Sequence, residues 1–135
     1  MIYVSRRETF SASHRLHNPL LSDDENLKCF GKCNSPNGHG HNYILEVVVA
    51  GEINPITGYL IDLKKLKEII RENIIDRVDH KNLNLDVDFL KGDITTTENL
   101  AVRFWEQLKD KITDGRLYAI RIAETENNFF EYRGE

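Results

Sequence analysis

The sequence predicts an α+β fold: a four-stranded antiparallel sheet with two helices on one face, in the order ββααββ. Three observations carry this expectation. Residues 2–16 alternate with period two. Residues 62–78 and 95–112 repeat apolar side chains every three or four positions. The chain closes with two short strand-like runs around Glu126-Asn127-Asn128.

In the first strand, Ile2, Val4, Phe10, Ala12, His14 and Leu16 share one side, with Arg6 and Glu8 interrupting it. Tyr3, Ser5, Arg7, Thr9, Ser11, Ser13 and Arg15 take the other. Residues 17–38, rich in Asn, Ser, Asp, Pro and Gly, read as one long loop, and loops of that length in compact domains are usually functional. Residues 39–53 form the second strand. Asn54-Pro55-Ile56-Thr57-Gly58 is a turn, with glycine available for a positive φ. Asp62 caps a helix running to about Val78, with Leu63, Leu66, Ile70, Ile74 and Val78 on its apolar face. Thr95-Thr96-Thr97-Glu98 has capping-box spacing. It opens a helix carrying Leu100, Ala101, Phe104, Trp105, Leu108 and Ile112, with Gly115 as its stop. Residues 116–125 and 129–133 make the closing hairpin.

With 135 residues and no repeat, low-complexity tract or linker, the chain is expected to form a single domain over residues 1–135. Eighteen basic against 22 acidic residues give a net charge of −4, which offers no basic footprint for nucleic acid. No run approaches the ~18 apolar residues of a membrane helix, and MIYVSRRETF lacks the apolar core of a signal peptide. Cys29 and Cys33 are too few for a disulfide scaffold and are not spaced as a CxxC pair. A reduced, cytoplasmic setting follows.

The chemistry concentrates in the five histidines. His39-Gly40-His41 projects two imidazoles from one face of a strand, with glycine leaving the space between them open. His14 lies in the buried register of the first strand and joins them if the two strands pair; taken alone, it also reads as a hydrogen-bonded core histidine. Three neutral imidazoles suit zinc and leave a fourth position open, the catalytic pattern. Cys33, just upstream in Gly31-Lys32-Cys33-Asn34, could be a fourth ligand, a catalytic base or nucleophile, or an inert thiol. Asp79-His80 is either an oriented acid–base pair or a helix-terminal cap. Glu124 continues the face of Tyr118, Ile120 and Ile122. There it either grips a guanidine-like edge through paired hydrogen bonds or lies wet at the strand end.

The runs Phe10-Ser11-Ala12-Ser13-His14-Arg15-Leu16 and Phe30-Gly31-Lys32-Cys33-Asn34-Ser35-Pro36-Asn37-Gly38-His39-Gly40-His41-Asn42-Tyr43 closely resemble the animal-type 6-pyruvoyl-tetrahydropterin synthase family. The resemblance continues through Gly51-Glu52-Ile53, Asp79-His80-Lys81-Asn82-Leu83, Thr95-Thr96-Thr97-Glu98-Asn99 and Glu124-Thr125-Glu126-Asn127-Asn128, covering nearly the whole chain in order. It implies a zinc enzyme that converts 7,8-dihydroneopterin triphosphate to 6-pyruvoyl-tetrahydropterin, releasing triphosphate, in tetrahydrobiopterin synthesis. It further implies that His14, His39 and His41 bind zinc and that Cys33 accepts a proton. Asp79 and His80 would relay protons, Glu124 would anchor the pterin, and Thr96 and Thr97 would hold the ring. The implied architecture is a tunnelling fold (T-fold): a homohexamer of two stacked trimers with active sites between subunits. Arg15 and Lys32 are the basic residues beside that site.

Two other readings stand beside it. The carboxy-tetrahydropterin synthases share the zinc and acid–base groups, but their cysteine usually precedes HGH by a shorter gap than the five residues between Cys33 and His39 here. A non-catalytic, zinc-stabilised interaction domain would need Cys33 to close a four-ligand site.

Overall fold

The computed structural model describes residues 1–135. Its elements are β1 (Ile2–His14), α1 (Asp23–Phe30), β2 (His39–Gly51), α2 (residues 63–78), β3 (Lys81–Asn82), α3 (Thr97–Leu108), β4 (Arg116–Thr125) and β5 (Asn128–Tyr132). The sheet order is β3-β1-β2-β4-β5. All neighbours are antiparallel except β3, which runs parallel to β1 for two residues. The expected four strands are present. The fifth, β3, was not anticipated because a two-residue strand has no period to read.

Alternation along β1 and β2 turns Phe10, Tyr43, Leu45, Val47 and Val49 toward the helices, where they pack with Leu66, Ile70, Ile74, Val78, Leu100, Phe104 and Leu108. Phe10 stacks on Tyr43 with ring centroids 4.7 Å apart. Each such side chain contributes about 1.5–3 kcal/mol on full burial, so this layer holds the helices on one face. Arg6 and Glu8 interrupt the apolar side without leaving a bare charge. Glu8 Oε1 accepts from Arg6 Nη2 at 3.1 Å and from Arg71 Nε at 3.0 Å.

Asp62 caps α2 as expected, its carboxylate accepting from Lys64 N at 2.9 Å. The helix is not uniform: Leu63–Ile70 is α-helical, Arg71–Ile75 is a π turn, and Asp76–Val78 returns to α. The π turn places Arg71 over Glu8 while Ile70, Ile74 and Val78 stay buried.

Four expectations need correction. Residues 17–38 are not one loop but carry α1 and a 3₁₀ turn, Gly31–Asn34. The helix has no apolar stripe to betray it. Its one buried residue is Asn26, whose amide bonds Asn18, Leu21 and Ser22, and its start is a Ser22–Glu25 capping box. The second strand ends at Gly51 rather than residue 53. The helix after the threonine run is capped by Thr96, which accepts from Asn99 N, not by Thr95 with Glu98, and it stops at Leu108 well before Gly115. Finally, a β-bulge shifts the β2–β4 register between Val48 and Val49, so Leu117 pairs with Val49 and Ala119 with Val48. Tyr118 therefore leaves the apolar face and packs on Tyr3, while Ile120, Ile122 and Glu124 keep it.

Candidate metal centre and adjoining groups

His14 ends β1 directly opposite His39, which begins β2, and His41 lies opposite Ala12. Two-residue alternation then turns all three imidazoles to the helix-facing side. Their ring centroids are 4.6, 5.3 and 4.9 Å apart, and one nitrogen from each falls within 4.8 Å of the others. His14 Nε2 and His39 Nε2 approach to 3.1 Å. Two nitrogens sharing a tetrahedral zinc at ~2.05 Å would stand about 3.3 Å apart, so the spacing fits a shared cation.

The surroundings prepare these rings as ligands. His14 Nδ1 donates to the Thr95 carbonyl at 2.7 Å, which fixes the tautomer and leaves the Nε2 lone pair facing the cluster. Burial pushes the pKa of His14 down; the Thr95 carbonyl opposes this, and His39 and His41 push it lower still. Burial also lowers His41, against the pull of Glu124. Both rings therefore favour the neutral form that binds metal. His39 Nδ1 is buried without a hydrogen-bond partner. Cys33 is outside this group of ligand atoms.

Glu124 reaches the cluster from β4. Its Oε1 accepts from Thr97 Oγ1 at 2.9 Å and stands 3.7 Å from His41 Nε2. The carboxylate therefore sits over the α3 N-terminus within the helix-facing layer, not free in water. Thr96, by contrast, is occupied as the helix cap.

The structure does not bring the remaining predicted residues into that group. Asp79 and His80 lie at the outer edge of β1. Asp79 Oδ1 accepts from Ser11 N at 2.9 Å, its Oδ2 holds His80 Nδ1 at 3.0 Å, and His80 N donates to Ser11 O. The Ser11 amide outweighs the opposing effect of burial and, with the His80 side chain, holds the Asp79 carboxyl below its usual range. His80 has a left-handed backbone (φ 62°), and its largely exposed ring borders an open cleft of about 560 Å³ over Ser11, Ser13 and Asn42. Cys33 sits half-buried in the 3₁₀ turn, its carbonyl accepting from Leu16 N at 2.9 Å; Cys29 is exposed.

The model of the 6-pyruvoyl tetrahydropterin synthase family matches residues 3–135. The chain belongs to this family. A 6-pyruvoyl tetrahydrobiopterin synthase of Homo sapiens is 52% identical over 132 residues, covering 98% of this chain and 91% of the human protein. One from Dictyostelium discoideum is 50% identical over 134 residues, 99% of this chain and 97% of its own length. The structure of Caenorhabditis elegans 6-pyruvoyl tetrahydropterin synthase superposes with a TM-score of 0.94 at 45% identity, covering 99% and 96% of the two chains.

As a member of the 6-pyruvoyl tetrahydropterin synthase family, the chain has the T-fold expected from its motifs, with β3 added at the edge. Two residues of the centre escaped the sequence reading. Thr95 acts through its carbonyl, which no side-chain pattern reveals. Tyr43 forms the floor: its ring lies 5.5 Å from that of His41, and its buried hydroxyl has no partner. Burial, with Glu124 adding to it, pushes the Tyr43 phenol well above its ordinary pKa. The signal for Tyr43 was available, since it continues the face of His39 and His41.

Proposed function

We infer that the chain is a zinc-dependent 6-pyruvoyl-tetrahydropterin synthase. Through a single domain over residues 1–135, it converts 7,8-dihydroneopterin triphosphate to 6-pyruvoyl-tetrahydropterin and triphosphate, in tetrahydrobiopterin synthesis. The observation that carries this reading is the His14–His39–His41 cluster beside the Thr97–Glu124 pair, in a chain 52% identical to the human synthase.

The reaction balances without an external reductant. Triphosphate leaves the terminal side-chain carbon as a proton leaves its neighbour, and the resulting enol becomes a methyl ketone. The remaining hydroxyl carbon is oxidised to a ketone as the ring gains the two hydrogens. Glu124 accepts paired hydrogen bonds from the pterin amino group and adjacent ring N–H, with Thr97 fixing one carboxylate oxygen. Thr96 lies at the same helix start, where its hydroxyl caps α3. Cys33 takes a proton from the side chain, and His80, oriented by Asp79, returns one. Zinc held by His14, His39 and His41 would supply Lewis-acid polarisation of the side-chain hydroxyls.

Asp79 and His80 lie at the sheet edge while the histidine cluster faces the helices, and β1 from Ile2 to Phe10 has no strand on its outer side. These features support active sites completed between subunits, as in the homohexamer of two trimers that the family resemblance implies. The free Cys29 and Cys33 support a cytoplasmic location, and no helix is long and apolar enough to cross a membrane. Cys33 standing outside the ligand group favours the open catalytic site over a closed structural one.

The test is incubation with dihydroneopterin triphosphate, with and without a zinc chelator, following triphosphate release and product identity. Chelator-sensitive release with formation of the pyruvoyl product is expected. No release from folded, zinc-loaded protein would overturn the assignment.

A further inference from the structure

The chain has nine arginines. Seven of them, Arg6, Arg7, Arg71, Arg77, Arg103, Arg121 and Arg133, pair with carboxylates. Arg116 instead lies over the Tyr118 ring, 5.7 Å from its centroid. Arg15 alone has neither an acidic nor an aromatic partner, in a chain where acids outnumber bases 22 to 18. It is not a loose surface cation. Its Nε donates to the Asn34 carbonyl at 2.9 Å, and Asn84 pairs with its backbone on both sides, at 2.8 Å each.

Asn34 also fixes a second group. It is 6% exposed, and its Nδ2 lies 2.8 Å from the Leu16 carbonyl and 3.0 Å from His17 Nδ1. That amide donates to His17 Nδ1, so the neutral ring carries its proton on Nε2 as a donor. Arg15 and His17 line one cleft of about 640 Å³ whose other polar groups are mostly amides, among them Asn18, Asn37 and Asn84. Asp93, the acid in its wall, is held by Arg103 through two bonds at 2.6 and 2.9 Å. Asp23 and Asp24 line a neighbouring cleft that Arg15 and Lys32 also border, without forming an ion pair with Arg15. The main cleft adjoins the metal centre along the chain: Arg15 follows His14, Gly38 precedes His39, and Ile94 precedes Thr95.

We propose that Arg15 and His17, both held by Asn34, form the subsite that receives the phosphate chain of the substrate. This rests on the reading of the chain as a pterin triphosphate enzyme and names the groups that would hold the anionic end. A guanidinium whose Nε is spent on a carbonyl keeps its terminal N–H groups for phosphate oxygens, and neutral amide donors complete the cradle.

The test uses the zinc-loaded enzyme in two measurements. Calorimetry follows inorganic triphosphate binding, repeated on chelator-treated protein so that binding through the metal is separated from binding to the cleft. Steady-state kinetics uses dihydroneopterin triphosphate. Arg15→Gln is expected to weaken triphosphate at least tenfold in both protein forms and to raise KM by a similar factor. Arg15→Lys should recover part of that loss, and His17→Phe should lose about threefold or more. Lys111→Gln, an exposed charge control, should bind like wild type. Arg15→Gln and Arg15→Lys that both keep wild-type triphosphate affinity and KM would overturn the proposal. If the wild type shows no turnover but Arg15→Gln still loses triphosphate binding, the subsite stands and the functional reading falls.

Discussion

Replacing Glu8 by glutamine tests how the sheet tolerates two arginines on its helix-facing side. Glu8 is 8% exposed and its Oε1 accepts from both Arg6 and Arg71, at 3.1 and 3.0 Å. Charge-assisted bonds contribute ~1.5–3 kcal/mol each, but the Arg6 and Arg71 side chains are 34% and 49% exposed, and water screens what they lose. Glutamine also keeps one acceptor oxygen. The net cost should be about 2 kcal/mol, which at ~3 °C per kcal/mol for a chain of this size lowers Tm by about 6 °C at neutral pH. The acid limb gives a second signature. Burial raises the Glu8 pKa, but the bonds from Arg71 and Arg6 outweigh it and hold the carboxyl below its ordinary value. Its stabilisation is therefore complete above the unfolded value of about 4.3 and is lost as pH falls through the lower folded value. Melting curves of wild type and Glu8→Gln from pH 7 down to pH 3 should converge at the acid end. A variant within about 1 °C of wild type at pH 7, or a gap that does not close on acidification, would refute the ion-pair account.

Cys33→Ala should retain zinc by metal analysis yet lose turnover by about 10²-fold or more, the range for removing a general base; coincident loss of metal would instead make Cys33 a ligand. Thr97→Val removes the hydroxyl bonded to Glu124 Oε1, and steady-state kinetics should show KM raised about tenfold or more, the low end of the ~1.5–3 kcal/mol of a hydrogen bond to a charged group. Stripping the metal with a chelator should lower the melting temperature, and zinc should restore it. At free metal 100 times Kd the linkage is about 2.7 kcal/mol, or about 8 °C by the same conversion.

Where function depends on side-chain periodicity, the sequence was legible. His39 and His41 two apart in a strand, and His14 in the buried register of its neighbour, are sufficient to place three imidazoles together once β1 and β2 pair. Asp62 as a cap and the 126–127 hairpin turn follow from equally local chemistry. Three features lay beyond such rules. α1 is anchored by the buried Asn26 amide rather than by an apolar stripe, so its only signal was Ser22 with Glu25 three residues on. The β-bulge that turns Tyr118 outward depends on how β4 meets β2. The restraint on His14 comes from a carbonyl 81 residues away, a group every residue possesses. Asp79 and His80 were legible as a pair but not as an edge feature, because that placement rests on Ser11 and the two-residue β3.

The π turn at Arg71–Ile75 makes the length of α2 a matter of residue counting. A π turn holds one residue more than the α turns on either side of it. Deleting a single residue there would let the helix close into regular α geometry while the flanking segments keep nearly the same phase, because the extra residue is absorbed within the π turn itself. Leu66 and Ile70 would stay in the core and Asp79 would stay on Ser11, the local cost being the contact of Arg71 with Glu8. The same deletion within Leu63–Ile70 would instead turn everything before it by about 100° relative to everything after it. Tolerance to deletion should therefore be sharply uneven along this helix: the turn at 71–75 can absorb a one-residue gap, whereas the regular α segment before it cannot.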